Sequence, residues 1–229
     1  MARHPRIVIP GLAHLVLQGG HNGQAVVHDA RDAQQWQAMV REVAATQRVL
    51  LHGWHVSPTW YALLATPHEA AALARLVQDM GRRYVAWFNA RHGRNGTLWD
   101  GRFRSAVVQP GHWERLALVW LERSVPEHPG LSTRAHHLGQ GEVHGVADPQ
   151  SYWTLGNTPF ERQARWQLLI DGGLSDAQSV ALRRALRSGR PLGEDGWRTQ
   201  LQPLTPVPLQ LRPRGRPPKP ATRAPVLTR

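Results

Sequence analysis

Two helical periodicities, separated by a pair of short apolar runs, constrain this chain more than any single residue does. Trp36, Met39, Val40 and Val43 recur at helical spacing between Asp32 and Thr46, and Leu73, Leu76, Val77, Met80, Tyr84 and Phe88 do so further on. Between them Val49 to Val56, closed by Ser57-Pro58-Thr59, and Trp60 to Ala65 read as a β-hairpin. Thr66-Pro67-His68-Glu69 has the spacing of a capping box with Pro at the first helical position, so the second helix is predicted to start there and end near Asn89. Upstream, the apolar runs Ile7 to Ile9 and His14 to Leu17, the turn Gly19-Gly20-His21-Asn22-Gly23, and Ala25 to Val27 read as strand, glycine-rich turn and second strand. Downstream come a basic turn from Arg91 to Gly96, a strand near Arg104 to Gln109, and a helix over Trp113 to Arg123. This order predicts an α+β fold with helices on one face of an antiparallel sheet.

Residues 150–202 read as helical. Pro159 to Ile170 is one helix, Ser175 to Ser188 a second with Ser175 and Gln178 as capping box and Gly189 as its stop, and a short helix follows Pro191-Leu192-Gly193. From Pro203 to Arg229 the composition changes to eight Pro, six Lys+Arg and no acid, which reads as an extended, solvated tail. The chain thus divides into a sheet-bearing part over 1–140, a helical part over 150–202 and a tail over 203–229.

Charge narrows the partners. The 229 residues carry a formal net charge of +12, and 27 of the 28 basic residues are Arg. Arg presents a planar fork suited to phosphates, so the bias fits nucleic acid; a GC-rich genome would write the same bias everywhere. Half of the excess, six of twelve, lies in the tail. There Arg214-Gly215-Arg216-Pro217 resembles an AT-hook, in which Arg214 and Arg216 would enter a narrow, electronegative minor groove of A/T-rich duplex. The absence of Cys excludes disulfides, thiolate nucleophiles and Cys-type zinc sites. No apolar run approaches the roughly 20 residues of a membrane helix, and residues 1–10 lack a signal-peptide core, so the expected location is the cytoplasm, without membrane contact.

Several strings then point the same way. Phe88-Asn89, Arg91-His92-Gly93-Arg94 and above all Gly96-Thr97-Leu98-Trp99-Asp100-Gly101-Arg102-Phe103-Arg104-Ser105 resemble the REP-associated tyrosine transposases, relatives of the small single-strand HUH transposases of insertion sequences. The resemblance extends to Pro10-Gly11-Leu12, the Gln18 to Gln24 turn, Leu51-His52, Pro129, Ser132, Arg134, Leu138-Gly139, Tyr152, Leu155-Gly156 and Ser188 to Gly193. It implies a ferredoxin-like HUH domain acting on single-stranded DNA hairpins. In that chemistry a tyrosine hydroxyl attacks a phosphate while Mg or Mn, held by two His one residue apart on a strand, polarises the phosphate oxygens.

This sequence departs from the pattern where the chemistry sits. The family's Pro-Asn-His-x-His string falls on Pro58, Thr59, Trp60, Tyr61 and Ala62, and its Tyr-Ile-Glu-Leu-Asn string falls on Trp120-Leu121-Glu122-Arg123-Ser124. Trp60, Ala62 and Trp120 therefore stand in for two ligands and a nucleophile, and an indole donates but cannot ligate. The expectation is no catalytic residue, no metal and no cofactor, with the Trp60 and Trp120 indoles close together and partly buried. The retained Arg91, Arg94, Arg102 and Arg104, interleaved with His92, Trp99 and Phe103, are expected to hold DNA.

The leading reading is thus a transposase-like DNA-binding protein without cleavage activity, on a single-stranded hairpin or A/T-rich duplex. An active nickase using His52 or His55 with Tyr61 is the second reading, although His52 and His55, three apart on a strand, should face opposite ways. A module that binds protein or RNA is the third. His136-His137 is a loop pair with metal-binding side chains, and the resemblance fits a monomer as well as a homodimer.

Overall fold

A computed structural model of the chain describes residues 5–123 and 131–209. Its centre is a four-stranded antiparallel sheet of β1 (His14–Gly19), β2 (Val49–Ser57), β3 (Trp60–Pro67) and β4 (Arg104–Val107), in the order β2-β3-β1-β4. Helix α1 (Ala30–Thr46) connects β1 to β2, and α2 (Ala72–His92) connects β3 to β4. This βαββαβ order with β1 and β3 in the middle is the ferredoxin-like arrangement, and the α+β expectation holds.

Both faces of the sheet are apolar. Leu15, Ala62, Leu64 and Ala106 point one way, while Val16, Tyr61, Leu63 and Ala65 point the other. Trp36 and Val40 of α1, with Leu76, Tyr84 and Phe88 of α2, cover the second set. The first set lies under Leu118 of α3 (His112–Glu122), Trp166 of α6 (Pro159–Gly172) and Leu182 of α7 (Asp176–Ser188). Helices on one face only, the expectation from element order, is corrected: a sheet apolar on both sides needs two covers. The short helices α4 (Arg134–His137) and α5 (Gln150–Trp153) precede α6, and α8 (Asp195–Gln200) follows α7.

Several boundaries also move. The capping-box signal at Thr66 does not start α2. Thr66 and Pro67 extend β3 opposite Leu50 and Val49, and the Thr66 hydroxyl is taken by His52 Nε2 at 2.8 Å. Ala25 to Val27 forms no strand; the Val26 N–H donates to Pro58 O and its carbonyl accepts from the Tyr84 hydroxyl, each at 2.8 Å or less. The Ser175 and Gln178 box does form, with Gln178 N–H on Ser175 Oγ and Ser175 N–H on Gln178 Oε1, and Gly189 ends α7 in the left-handed region at φ 67°. The first residues of the proline-rich tail are not solvated throughout: Thr205 and Val207 are buried, and Val207 packs with Ile7, Ile9, Val107 and Leu201. The AT-hook-like string with Arg214 and Arg216 lies outside the described residues, as does Pro129. Among the described residues no helix is long and apolar enough to cross a membrane.

Candidate nucleic-acid interface

Trp60 opens β3 and Trp120 lies in the last turn of α3, which crosses the same sheet face. Their ring centroids are 5.8 Å apart with planes 22° from parallel, both are half-buried, and Ala62 is fully buried on the same face. The expected indole pair is present. Where the resemblance places two ligands and a nucleophile there are two stacked π-faces and a methyl group, so the residues do not fit a divalent cation.

The alternative constellation does not assemble. A β-bulge between Leu51 and Gly53 shifts the register of β2 against β3, so that Leu51, Trp54 and Val56 all pack toward α1 and α2. His52 and His55 consequently share the opposite face, which corrects the expectation of opposed side chains. Each is nonetheless engaged. The His52 ring nitrogens meet Ala147 O at 2.6 Å and Thr66 Oγ1 at 2.8 Å, and the His55 ring packs 5.4 Å from Trp60. Burial pushes both imidazoles down toward the neutral form. Tyr61 lies on the other side of the sheet between Trp36 and Trp99, with its phenol pushed up by burial. Gly53 is the residue that lets the bulge sit against α3: a Cβ there would lie 2.7 Å from Leu118 Cδ2 and 2.9 Å from Thr133 Oγ1. Gly53→Ala is expected to destabilise the protein by about 1–3 kcal/mol in urea unfolding, through overpacking rather than backbone strain.

Below the indole pair, Glu122 closes α3 with its carboxylate fully buried. It accepts from Thr133 Oγ1 at 2.5 Å, His137 Nδ1 at 2.7 Å and Trp166 Nε1 at 2.9 Å. His137, His136 and Asp148 are, among the described residues, the one group whose donor atoms all approach within 4.8 Å. Their hydrogen bonds do not suit a metal. The Val143 N–H donates to His136 Nδ1, so the proton of that ring sits on Nε2, which donates to Asp148 Oδ1 at 3.1 Å. Burial alone would lower the His137 pKa, but Glu122 and Asp148 outweigh it and raise it to about 9. The cluster is a buried ion network that ties α3 to α4, α6 and the segment before α5. The sequence signal for it was a carboxylate within an otherwise apolar helix turn, Val119-Trp120-Leu121-Glu122.

The four arginines expected to hold DNA fall into two pairs. Arg91 donates to Asp29 Oδ2 at 2.6 Å and also to the fully buried Asp32, bracing the start of α1, where Asp29 Oδ1 accepts from Asp32 N–H. Arg94 donates to Gln24 Oε1 and lies over the Phe88 ring. Both are held inside the molecule's own architecture. Arg102 and Arg104, by contrast, are exposed and make no ion pair or hydrogen bond among the described residues. They lie at the entry to β4, an edge strand of the sheet.

Along that edge runs the segment after α7, with Leu192 N–H on Val107 O at 2.7 Å and Gln109 N–H on Leu192 O at 2.8 Å. The last turn of α7 brings Arg187 to the same place, the segment after it brings Arg190, and Arg6 arrives from the N-terminal segment. These five arginines line a cleft of about 470 Å³ in which Asp100 is the only carboxylate among the described residues. Arg6 sits 3.6 Å over the Phe103 ring, and burial together with Arg102 lowers its pKa to about 10. Arg190 Nη1 is buried without a hydrogen-bond partner among the described residues. Arg6, Arg187 and Arg190 escaped the sequence reading because they are remote from the Arg91 to Arg104 string; the turn Ser188 to Gly193, part of the resemblance, was the one signal near them.

No family model matches the chain, and no curated protein matches it. The solved structures that the chain resembles include two transposases. The structure of a REP-associated tyrosine transposase bound to a REP hairpin matches over 66% of this chain and 93% of that one, at 14% identity and a TM-score of 0.45. A putative transposase from Deinococcus radiodurans matches over 48% of this chain and 88% of that one, at 21% identity and a TM-score of 0.36. The ferredoxin-like assignment rests on the strand order itself.

Proposed function

We propose that this is a transposase-like DNA-binding protein that does not cleave its DNA. The Trp60 and Trp120 stack carries the reading, because cleavage by this family's chemistry needs a metal-bound phosphate and a hydroxyl where the chain has two indoles and Ala62. The exposed, unpaired Arg102 and Arg104 support DNA contact, since an arginine without a carboxylate partner is available to a phosphate. Arg91 and Arg94 drop out as primary contacts because their guanidinium groups are already engaged. Arg214 and Arg216 supply a second, A/T-preferring contact from the tail.

Purified protein incubated with a single-stranded hairpin in magnesium or manganese is expected to retard the hairpin on a native gel and to form no covalent adduct on a denaturing one. Nicking with covalent attachment overturns the reading. Replacing Arg214 and Arg216 with Ala is expected to lower the salt dependence of duplex binding by about two counterions.

A further inference from the structure

Helices α7 and α8 leave an open groove of about 1120 Å³ between them. One face of each helix forms a wall, with Ala177, Val180 and Arg184 on α7 and Asp195 and Arg198 on α8 at helical spacing, and Leu209 lines it as well. Val180, midway along the α7 wall, is 54% exposed, so a partner that covered it would gain the free energy of burying an aliphatic side chain. The rim is basic. Arg184 is exposed and makes no hydrogen bond or ion pair among the described residues, and Arg190, which also lines the groove, has its Nη1 without a hydrogen-bond partner among them. Asp195 is the one lining carboxylate among the described residues, and it is already paired with Arg198 at 3.2 Å.

We propose that this groove docks an acidic amphipathic helix of a second protein, with its apolar side chains against Ala177, Val180 and Leu209 and its carboxylates on Arg184 and Arg190. An open groove between two helices, larger than the roughly 300–1,000 Å³ of a small-molecule pocket, takes a third helix laid in by its apolar face. Charge complementarity selects the occupant. Residues 210–229 of this chain carry six Lys+Arg and no acid, and a second copy carries a net charge of +12, so both share the sign of the rim. A nucleic-acid strand would satisfy the arginines but brings no aliphatic side chains to the apolar wall. The proposal does not depend on the DNA-binding reading, whose Arg102 and Arg104 do not line this groove.

The test uses the full chain and fluorescence anisotropy, with a labelled helical peptide that carries Leu along one face and Glu on the others. The peptide is expected to bind, and to bind about tenfold more weakly to Arg184→Glu, which turns an attraction at the rim into a repulsion. Val180→Ser removes apolar contact without changing charge and should weaken binding about fivefold. Both side chains are exposed, so the unfolding temperature of each variant should equal that of the unsubstituted protein. Arg183→Glu makes the same change in net charge at an exposed neighbour outside the groove, and its affinity should stay within about twofold. No binding of the peptide overturns the proposal, as does an affinity unchanged in Arg184→Glu and Val180→Ser. Equal losses in Arg183→Glu and Arg184→Glu, or equal binding of a peptide of the same composition with its leucines scattered, reduce the effect to net charge and overturn the groove. Oligothymidylate binding that falls in both groove variants as much as peptide binding does makes nucleic acid the occupant and overturns the proposal too.

Discussion

Replacing Glu122 with Ala is expected to cost about 3–5 kcal/mol of folding stability, because it breaks a buried ion pair on one side only. The carboxylate is fully buried and accepts three hydrogen bonds, from Thr133 and His137 at the two ends of α4 and from Trp166 of α6. Truncation leaves all three donors without acceptors and strips the charged His137 of its nearer counter-ion. Arg134 adds to the same junction by donating to the Glu122 carbonyl at 2.9 Å. Glu122→Gln keeps the volume and one acceptor oxygen, so it should fall between the two, and its remaining loss measures the charge. Urea unfolding near pH 6.5 gives both numbers. A loss under about 1 kcal/mol for the alanine variant would show that the network does not hold α3 to its neighbours.

How much of this was written in the sequence depends on the distance over which each feature is decided. The two long helices, the hairpin and the Ser175 cap are decided within a turn or two, and they stand close to where periodicity places them. The α2 start failed for a tertiary reason, since the Thr66 hydroxyl that should have capped the helix is bonded to His52 across the hairpin. The two-sided sheet was legible in principle: Leu15 with Val16, and Leu63 with Leu64, are adjacent apolar residues that must face opposite ways. The bulge was not, because the crowding that shapes it comes from Leu118 and Thr133. In the candidate interface, the Trp60 and Trp120 pair was legible through the family pattern, and the 5.8 Å stack bears it out. Which arginines are free was not legible. Arg91 is neutralised by Asp29 and Asp32, about sixty residues away in sequence, whereas Arg102 pairs with no carboxylate among the described residues, and nothing local distinguishes them.

The same buried network dictates how stability should vary with pH. In the folded protein His137 holds its proton until about pH 9, and in the unfolded chain only until about 6.5. The unfolded state therefore sheds a proton first as pH rises, so the contribution is complete below 6.5, declines between 6.5 and 9, and is gone above 9. The ring is fully buried between Glu122 and Asp148, so solvent screens this contribution little. The acid side runs the other way. His14, fully buried, is held neutral down to about pH 4, and His52 and His55 are also lowered, so the unfolded state takes up protons first as pH falls below 6.5. Burial would raise the Asp148 carboxyl, but hydrogen bonds from His136 and His137 hold it well below the usual range, so its contribution disappears only in stronger acid. Thermal unfolding from pH 4 to 10 is thus expected to peak near 6.5, with an alkaline limb that belongs to His137. In His137→Gln that limb should flatten while the acid limb persists, because His14, His52 and His55 remain; an alkaline limb of unchanged slope would place the responsible proton on another group.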